Sequence, residues 1–576
     1  MIHKQFKYYC LLLLIHFITL NNDAVAQQTP KKIQFTGAAR SIINNNELKG
    51  KGEEDTVTTR KTMGGYALID LGVNIQPNKN TEILGMFRIK NRFGGFYGAG
   101  VDFNVRQIFV KGIIANTVRY QLGDINYKLT PFTFYNHDED VSLPLPEIFN
   151  LQREIVNYES FYQKNTWRQQ GAALDFALEF SKYIKELKVN GFINRIVPSD
   201  FGSNPDRFFA GGNVTLQQSD QFSIGFNYVN LFDILGTAVN NQLLRNEVGS
   251  INAEYTLESS IINLQLFSET GKSKVLRTND SLDPKLNDYF IRSGLSFLLK
   301  PISTKITFGY AEVGPDFRSA GAQSKRINYS KIPSTYSQYT NQQIFRESGL
   351  LDLISDESIY NRSINSVLPS YNPMYNNAMP FGVATFNRKG FFSNLNFEDK
   401  RQIVSINASA NAMKEIKGQG TLRLKEFRTV NTEIKVNLNK LLNTKKSIVA
   451  NGNYAFQETV RKGEYDFENT NLSTMQWNAG LEVEVFKCFD ILAGIHQLTI
   501  AGNEQMPDRN VYSEVIDFNP ISLSLKETLT GGGLRYRFSN NIYLAGLFQL
   551  YDRNIDNMKN SSYSFQQFLL IYSMKF

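Results

Sequence analysis

Cysteine is scarce in this chain, whose 576 residues include two, Cys10 and Cys488. Cys10 lies in an amino-terminal apolar segment that has the features of a cleaved signal peptide, so Cys488 alone would remain in the mature chain. One thiol cannot form an intramolecular disulfide, and in an oxidising compartment we expect it to stay free. No cysteine stands at the expected cleavage point, so we expect no lipid anchor there.

Histidine is nearly as scarce, with four residues in all and two beyond the signal segment, His137 and His496. Histidine-dependent catalysis would therefore rest on one of these two side chains. The run from His137 to Asp140 resembles a cation site because an imidazole stands beside carboxylates, but such charged runs are usually solvated loops. We predict no catalytic residues, no metal site and no cofactor, and hence a protein that is not an enzyme.

Long hydrophobic runs are also missing. The longest, at residues 8–20, is shorter than the roughly 20 residues that a membrane-spanning helix needs. Two lysines precede this run, and Ala-Val-Ala at positions 24–26 follows it as a small-x-small cleavage site. Residues 1–26 are thus predicted to be a secretory signal peptide, cleaved near Ala26, with residues 27–576 forming the mature chain. We expect no helix to cross a membrane.

The formal charge of +8 is small for a chain of this length. Secretion would also place the protein in a compartment without nucleic acid, so we expect no nucleic-acid partner. Aromatic residues make up 13% of the chain, while the mean hydropathy is −0.31. This combination suits a barrel that presents aromatic side chains to lipid and polar side chains to water.

The last residues of the chain alternate in polarity with a period of two. One parity carries apolar or aromatic side chains: Phe568, Leu570, Tyr572, Met574 and Phe576. The other parity carries Gln567, Ser573 and Lys575, although Leu569 and Ile571 share it. Successive strand residues point to opposite faces, so this pattern predicts a terminal strand with one face in lipid. We expect its aromatic ending to direct membrane assembly.

The same alternation recurs at residues 67–75, 222–228, 404–412 and 477–485. The predicted short links lie at 76–80, 218–220, 258–260, 300–303, 443–446, 487–488 and 539–541. The predicted long links lie at 44–61, 128–170, 271–287, 311–380, 461–470 and 501–519. We therefore predict an all-β fold, a transmembrane antiparallel β-barrel of about 22 to 24 strands, an even number, with short periplasmic turns and long extracellular loops.

Two of the long links are candidates for filling the lumen. Residues 128–170 carry more apolar side chains than a solvated loop needs, so this link either folds inward as a constriction, packs on the rim or forms a docking surface. Residues 311–380 are too long for an ordinary connection, and they either cap the pore or bind a surface partner.

Basic residues recur on the parity opposite the apolar face, which we predict to be the lumen face. These candidate lumen-lining residues are Arg88, Lys90, Arg106, Arg119, Arg423, Lys425, Arg535 and Arg537. If they face an open channel, they favour anions. The alternative is a structural lattice in which they pair with acidic residues on the same parity: Asp70, Asp175, Glu254, Glu482 and Glu484.

The signal peptide, the alternating strands and the Tyr572-x-Met574-x-Phe576 ending together resemble porin-like outer-membrane barrels of the style found in Bacteroidota, with a distant likeness to alginate-export barrels. The resemblance implies a place in the outer membrane of a Gram-negative cell, among lipid and lipopolysaccharide, after insertion by the barrel-assembly machinery. Two functions stay open. One is a channel or exporter for polar solutes, with anionic solutes and saccharides as the candidates. The other is a non-conducting structural subunit of a larger outer-membrane complex, whose extracellular loops dock protein partners.

Overall fold

The computed structural model describes residues 33–50, 60–93, 100–134, 144–161, 169–239, 243–278, 286–327, 349–365, 367–510, 514–556 and 562–576. The predicted signal peptide (residues 1–26) and the run from His137 to Asp140 lie outside these residues.

Strands dominate the described residues and form one 22-stranded sheet. They are β1 Ile33–Gly50, β2 Arg60–Asn78, β3 Thr81–Arg92, β4 Val101–Ile114, β5 Val118–Ile125, β6 Gln169–Glu179, β7 Glu186–Val197, β8 Arg207–Gln217, β9 Phe222–Asp233, β10 Leu243–Glu258, β11 Ile262–Thr278, β12 Asn287–Leu299, β13 Thr304–Val313, β14 Arg388–Glu398, β15 Val404–Lys414, β16 Glu426–Asn437, β17 Ile448–Arg461, β18 Thr470–Phe486, β19 Phe489–Arg509, β20 Val515–Ser539, β21 Ile542–Ile555 and β22 Tyr563–Lys575. The helices are α1 Glu147–Ser160, α2 Leu350–Ser355 and α3 Leu438–Leu441. Among the described residues, no helix has the length and apolar character needed to cross a membrane.

The sheet closes on itself. Each strand pairs antiparallel with its neighbours in sequence, and β1 also pairs antiparallel with β22. At the seam, the backbone N–H of Gly37 donates to the carbonyl of Phe576 at 2.8 Å, and the N–H of Phe576 donates to the carbonyl of Gly37 at 3.1 Å. Closure leaves no sheet edge unpaired, as a membrane environment requires. The prediction of an antiparallel barrel with 22 to 24 strands is confirmed.

The outer face of the barrel is an apolar belt. In β2, Ile69 and Leu71 are 48% and 40% exposed, whereas their neighbours Leu68 and Asp70 are buried. Exposed apolar side chains of the same outward parity recur around the wall: Leu122, Leu174, Phe226, Leu266, Phe308, Phe391, Val430, Leu481, Leu534 and Phe568. A soluble protein does not leave so continuous an apolar surface in water, so the barrel is transmembrane.

The connections between strands differ at the two ends of the barrel. We call the end with the short turns the turn end and the end with the long connections the loop end. The predicted short links at 218–220, 258–260, 487–488 and 539–541 all lie at one end, and the two longest links lie at the other. Some predicted long links are wrong in extent, because β11 continues to Thr278 and β19 and β20 form a ladder that reaches Arg509 and Val515. These strand ends extend beyond the apolar belt, where a strand needs no apolar face. They therefore lack the alternation of apolar and polar residues that identified the other strand segments in the sequence.

Candidate functional site

The described parts of both long connections enter the lumen. We call residues 126–134 and 144–161 the β5–β6 segment, and residues 314–327, 349–365 and 367–387 the β13–β14 segment. Phe132 and Phe149 of the first segment and Phe317 and Tyr360 of the second are completely or almost completely buried. Of the interpretations open for residues 128–170, the described part adopts the inward one. The described part of the second long connection also packs against the inner wall.

The inner wall is partly apolar where it meets these segments. On β22, Leu569 and Ile571 point inward and join a cluster that includes Ile148 and Ile155 of α1. Phe565 of β22 joins the same cluster, and β19, β20 and β21 add further inward apolar residues to it: Leu492, Leu498, Leu525, Leu529 and Leu547. The inner face is therefore polar only in part, because some of it packs against protein instead of water, which accounts for Leu569 and Ile571 on the otherwise polar parity of the last strand.

A row of glycines in the wall receives the start of α1. Gly480, Gly494 and Gly531 are directly opposite one another on β18, β19 and β20. A Cβ on Gly480 would lie 2.4 Å from Cβ of Pro146, and one on Gly494 would lie 2.9 Å from Cγ2 of Ile148. Any side chain at these positions would overlap α1, so the glycines allow the helix to approach the wall closely.

Side-chain amides hold the chain that leads into α1. Asn453 and Asn478 donate hydrogen bonds to the carbonyl of Pro144 at 2.7 and 3.1 Å. Further along the helix, Gln549 donates to Gln152 at 3.2 Å, and Gln152 donates to Gln567 at 3.3 Å. These bonds satisfy polar groups that would otherwise be buried without partners.

The first turn of α1 is tied to the wall by charge. Glu147 accepts a hydrogen bond at 2.6 Å from Arg535 of β20. Arg535 also pairs with Asp490 at 2.9 Å and with Glu482, while Arg537 pairs with Asp490 at 2.8 Å. A carboxylate in the first turn also favours the helix dipole. Two of the sequence-predicted basic residues thus form an ion-pair network at the start of α1.

The carboxylate of Glu159, in the last turn of α1, is the centre of a second network. It accepts bonds from Arg40 at 2.7 Å, Lys90 at 3.0 Å and the Tyr66 hydroxyl at 2.6 Å. Burial disfavours the ionised carboxylate, but Lys90 and Arg40 outweigh burial, so the pKa of Glu159 lies below its ordinary value. The side chains of Glu159 and Arg40 are only 3% and 2% exposed, so this ion pair is little screened by solvent.

Two arginines of the wall cap the helix end. Arg88 donates to the carbonyl of Glu159 at 3.0 Å, and Arg106 donates to the carbonyls of Tyr158 and Phe161, the latter at 3.3 Å. Cations near the final carbonyls satisfy acceptors that a helix leaves open and oppose the negative end of its dipole. Buried Asp70 pairs with both arginines, at 2.7 and 2.9 Å, and fixes their positions.

The remaining predicted basic residues lie elsewhere. Arg119 is inward by parity and pairs with Asp175. Lys425 is buried at the loop end and pairs with Glu504. Arg423 lies in the β15–β16 connection, where it pairs with exposed Glu464, and Lys425 lies in the same connection, so the placement of both on a wall strand is wrong. Its alternation with Lys425 is a chance pattern in a loop.

The β13–β14 segment is joined to both the wall and the first segment. The Asn377 side chain donates to Thr459 at 2.9 Å and to Glu504 at 2.5 Å. Arg326 donates to Asn157 of α1 at 3.0 Å and lies 4.4 Å from the ring centre of Phe161. The neighbouring Lys325 is buried, and burial lowers its pKa to about 7. The two segments therefore form one connected insert.

Part of the inner wall remains exposed to water. Lys305, Asn396, Asn407 and Glu433 are directly opposite one another across β13 to β16, on the parity of buried inward residues such as Phe392. The first three are exposed, and the Asn407 amide donates to Glu433 at 3.0 Å. We call these four residues the polar row; they are nearer the turn end and lie away from α1.

No protein-family model and no curated protein matches this chain. Among solved structures, Pseudomonas aeruginosa OpdQ is similar at 9% identity with a TM-score of 0.38, covering 95% of this chain and 98% of that chain. The P pilus usher (PapC) translocation pore is similar at 8% identity with a TM-score of 0.36, covering 93% of this chain and 99% of that chain. The chain is a closed transmembrane β-barrel, on the strength of its own strand pairings.

Proposed function

We propose that the protein is a porin-like channel of the bacterial outer membrane that passes small polar solutes along the water-exposed side of its lumen. The polar row carries this proposal: Lys305, Asn396 and Asn407 present exposed polar groups inside a closed barrel, next to the half-buried carboxylate of Glu433. A wall that packed only against protein would not leave these groups in water.

The architecture supports a place in the outer membrane. A closed barrel with an outward apolar belt is suited to that bilayer, where we expect lipid and lipopolysaccharide around the belt and extracellular partners at the loop end. The sequence-predicted signal peptide supports export, and the aromatic terminal strand supports insertion by the barrel-assembly machinery.

The solute preference does not come from the basic residues singled out in the sequence. Arg88, Lys90, Arg106, Arg535 and Arg537 contact carboxylates or helix carbonyls, so their charges are largely neutralised by partners. The polar row contains one base and one acid, Lys305 and Glu433. We therefore propose weak charge selectivity and passage limited by size, because the insert occupies the other side of the lumen.

Swelling of proteoliposomes in sugars of increasing size tests this function. Replacing Asn396 and Asn407 by Trp should slow the uptake of a monosaccharide, because both side chains face the proposed path. The matched control replaces Leu395 and Ala408, the adjacent cross-strand pair on the lipid face, by Trp and should leave uptake unchanged. Equal uptake in both variants would refute the proposed path.

A non-conducting docking subunit is the second candidate. The extent of the insert favours it, because both segments bury aromatic residues against the wall and each other. Absence of swelling with every sugar, together with a stoichiometric partner that co-purifies with the intact barrel, would favour this function over the channel.

A further inference from the structure

A cavity of about 200 Å³ lies at the loop end of the barrel, outside the α1 site. Its wall comes from the β13–β14 segment, from Gln419 of the β15–β16 connection and from residues 506–509 at the end of β19. All three elements belong to the end that we predict to be extracellular. A solute outside the cell would therefore meet this cavity before the lumen.

Aromatic side chains form one side of the cavity. The rings of Tyr371 and Phe381 meet edge to face at 5.9 Å, and those of Phe381 and Phe386 stack at 6.0 Å. Proline, leucine and methionine side chains complete the apolar lining: Leu368, Pro369, Pro380, Met506 and Pro507. Such a lining favours a flat, apolar ring, and ligand sites are generally apolar with a few placed polar groups.

Two arginines supply those polar groups. The Arg388 guanidinium donates hydrogen bonds to the carbonyls of Ala378 and Asn387, at 2.9 and 3.1 Å, which fix its position beside the cavity. Its positive charge makes the electrostatic potential in the cavity more positive. Arg509 donates to Gln419 at 3.2 Å and lies 5.3 Å from the ring centre of Phe386.

The charge of the lining is unbalanced. Asp508 is the one carboxylate among the lining residues, and it accepts a bond from the backbone N–H of Arg509 at 2.9 Å. Behind the lining, the guanidinium of Arg318 lies 4.4 Å from the ring centre of Phe386, and the carboxylates of Glu415 and Asp316 act on Arg509, so these outer charges add no excess of positive charge. Within the lining, two guanidiniums stand against one carboxylate, which favours a ligand with one negative charge.

Size restricts the ligand further. An apolar cavity of roughly 150 Å³ is large enough to hold benzene, so this one has room for a single ring with a small substituent. We propose that the cavity binds a small aromatic carboxylate, with the ring against Tyr371, Phe381 and Phe386 and the carboxylate toward Arg509. This binding site stands independently of whether the lumen conducts.

Calorimetric titration of the folded, detergent-solubilised full-length barrel with benzoate tests the proposal. Benzyl alcohol and benzylamine serve as neutral and cationic compounds of the same ring size, and acetate serves as a carboxylate without a ring. We expect benzoate to bind and the other three compounds to bind at least about tenfold more weakly. The two ring compounds lack the carboxylate that accepts a charge-assisted hydrogen bond, acetate lacks the ring contacts, and each of these interactions contributes about a factor of ten or more in affinity. Benzoate that binds no tighter than benzyl alcohol or acetate would overturn the proposal.

Two variants locate the site. Arg509→Gln should weaken benzoate binding about tenfold while leaving benzyl alcohol unaffected. The matched control, Arg423→Gln, removes an arginine from the same end of the barrel that does not line the cavity, and it should bind benzoate like the wild type. Equal weakening in both variants would show that only the general positive field matters and would refute the site.

If Arg509→Gln loses the heat-modifiable folded band, Met506→Trp provides the second test, since the larger side chain should fill the cavity and abolish benzoate binding. Unchanged binding in a folded Met506→Trp barrel would overturn the proposal. Benzoate binding to a barrel that shows no solute uptake would retain the site and refute the channel.

Discussion

Arg535 on β20 donates a 2.6 Å hydrogen bond to Glu147, a residue 388 positions earlier in the chain. Glu147 stands in the first turn of α1, and Glu159 in its last turn is held by Arg40 and Lys90. The inward basic residues of the wall therefore act at both ends of one helix. In this structure they position the insert, whereas the polar row lies on a part of the inner wall that is exposed to water.

The close approach of α1 to the wall glycines Gly480, Gly494 and Gly531 can be tested by adding a side chain at one of them. Replacing Gly494 by Leu should displace the helix from the wall, because Ile148 and Pro146 lie within about 3 Å of the added Cβ. Overpacking of this kind typically costs about 1–3 kcal/mol of folding free energy, measurable as a lower urea midpoint. Gly532→Leu is the control, since a Cβ there meets nothing within 4 Å. Equal midpoints for the two variants would contradict the seating of α1.

Buried Lys325 predicts a pH-dependent stability. Its pKa is about 7 in the folded protein, against an ordinary value of 10.5, so the folded state disfavours the charged amine. The resulting destabilisation is complete below pH 7, shrinks as the pH rises toward 10.5 and vanishes above it. Lys325→Met should therefore raise the urea midpoint at pH 6 and have little effect at pH 10.5. A benefit that is the same at both pH values would show that the lysine is not buried as a destabilised cation.

The seam between β1 and β22 predicts a defect in assembly. Phe576 exchanges two backbone hydrogen bonds with Gly37, and its side chain lies on the outward parity. Deleting Phe576, or changing it to Asp, should lower the amount of heat-modifiable barrel in the outer membrane. Lys575→Gln is the control, because it keeps both the aromatic end and the backbone pairing. Wild-type amounts of folded barrel without Phe576 would remove the terminal residue from the assembly signal.

The two ends of the barrel predict opposite labelling of thiols in intact cells. Cys488 lies in the tight turn between β18 and β19, whereas Ser203 is exposed in the connection between β7 and β8 at the loop end. A membrane-impermeant maleimide should leave the wild-type protein unlabelled until the outer membrane is permeabilised. It should label Ser203→Cys directly. Labelling of Cys488 in intact cells, with none at position 203, would invert the topology.

The outer face of the barrel was predictable because it depends on local alternation. Residues such as Ile69, Phe226 and Phe568 point to lipid through a two-residue period that each strand displays by itself. Leu569 and Ile571 stand on the otherwise polar parity of the last strand, which the sequence alone shows. The structure explains these two apolar residues by their contact with α1. Apolar residues on an expected lumen face are thus a sequence signal for an inserted segment.

The α1 site could not be predicted, because it depends on strand register and on the path of a long connection. Gly480, Gly494 and Gly531 become neighbours only when three strands align. Arg40, Tyr66 and Glu159 carry no local pattern, and Glu159 reaches them only because the β5–β6 segment turns inward. In the structure the basic residues of β3, β4 and β20 pair with Asp70, Glu482 and Glu484, which the alternative of a structural lattice names as partners. Their further contacts with Glu147 and Glu159 of α1 carried no sequence signal.

Single-channel conductance in planar bilayers tests the central claim that charge holds α1 in the lumen of a channel. The decisive variant is Glu147→Lys with Glu159→Lys, which reverses both clamped charges and leaves the wall unchanged; losing one partner of a buried ion pair typically costs about 3–5 kcal/mol. Glu154→Lys is the control, because this exposed residue of α1 bonds only to Asn150 among the contacts of the described chain. We predict larger conductance steps for the double variant than for the wild type or Glu154→Lys. A folded double variant with wild-type conductance, or one that conducts no ions at all, would contradict the account.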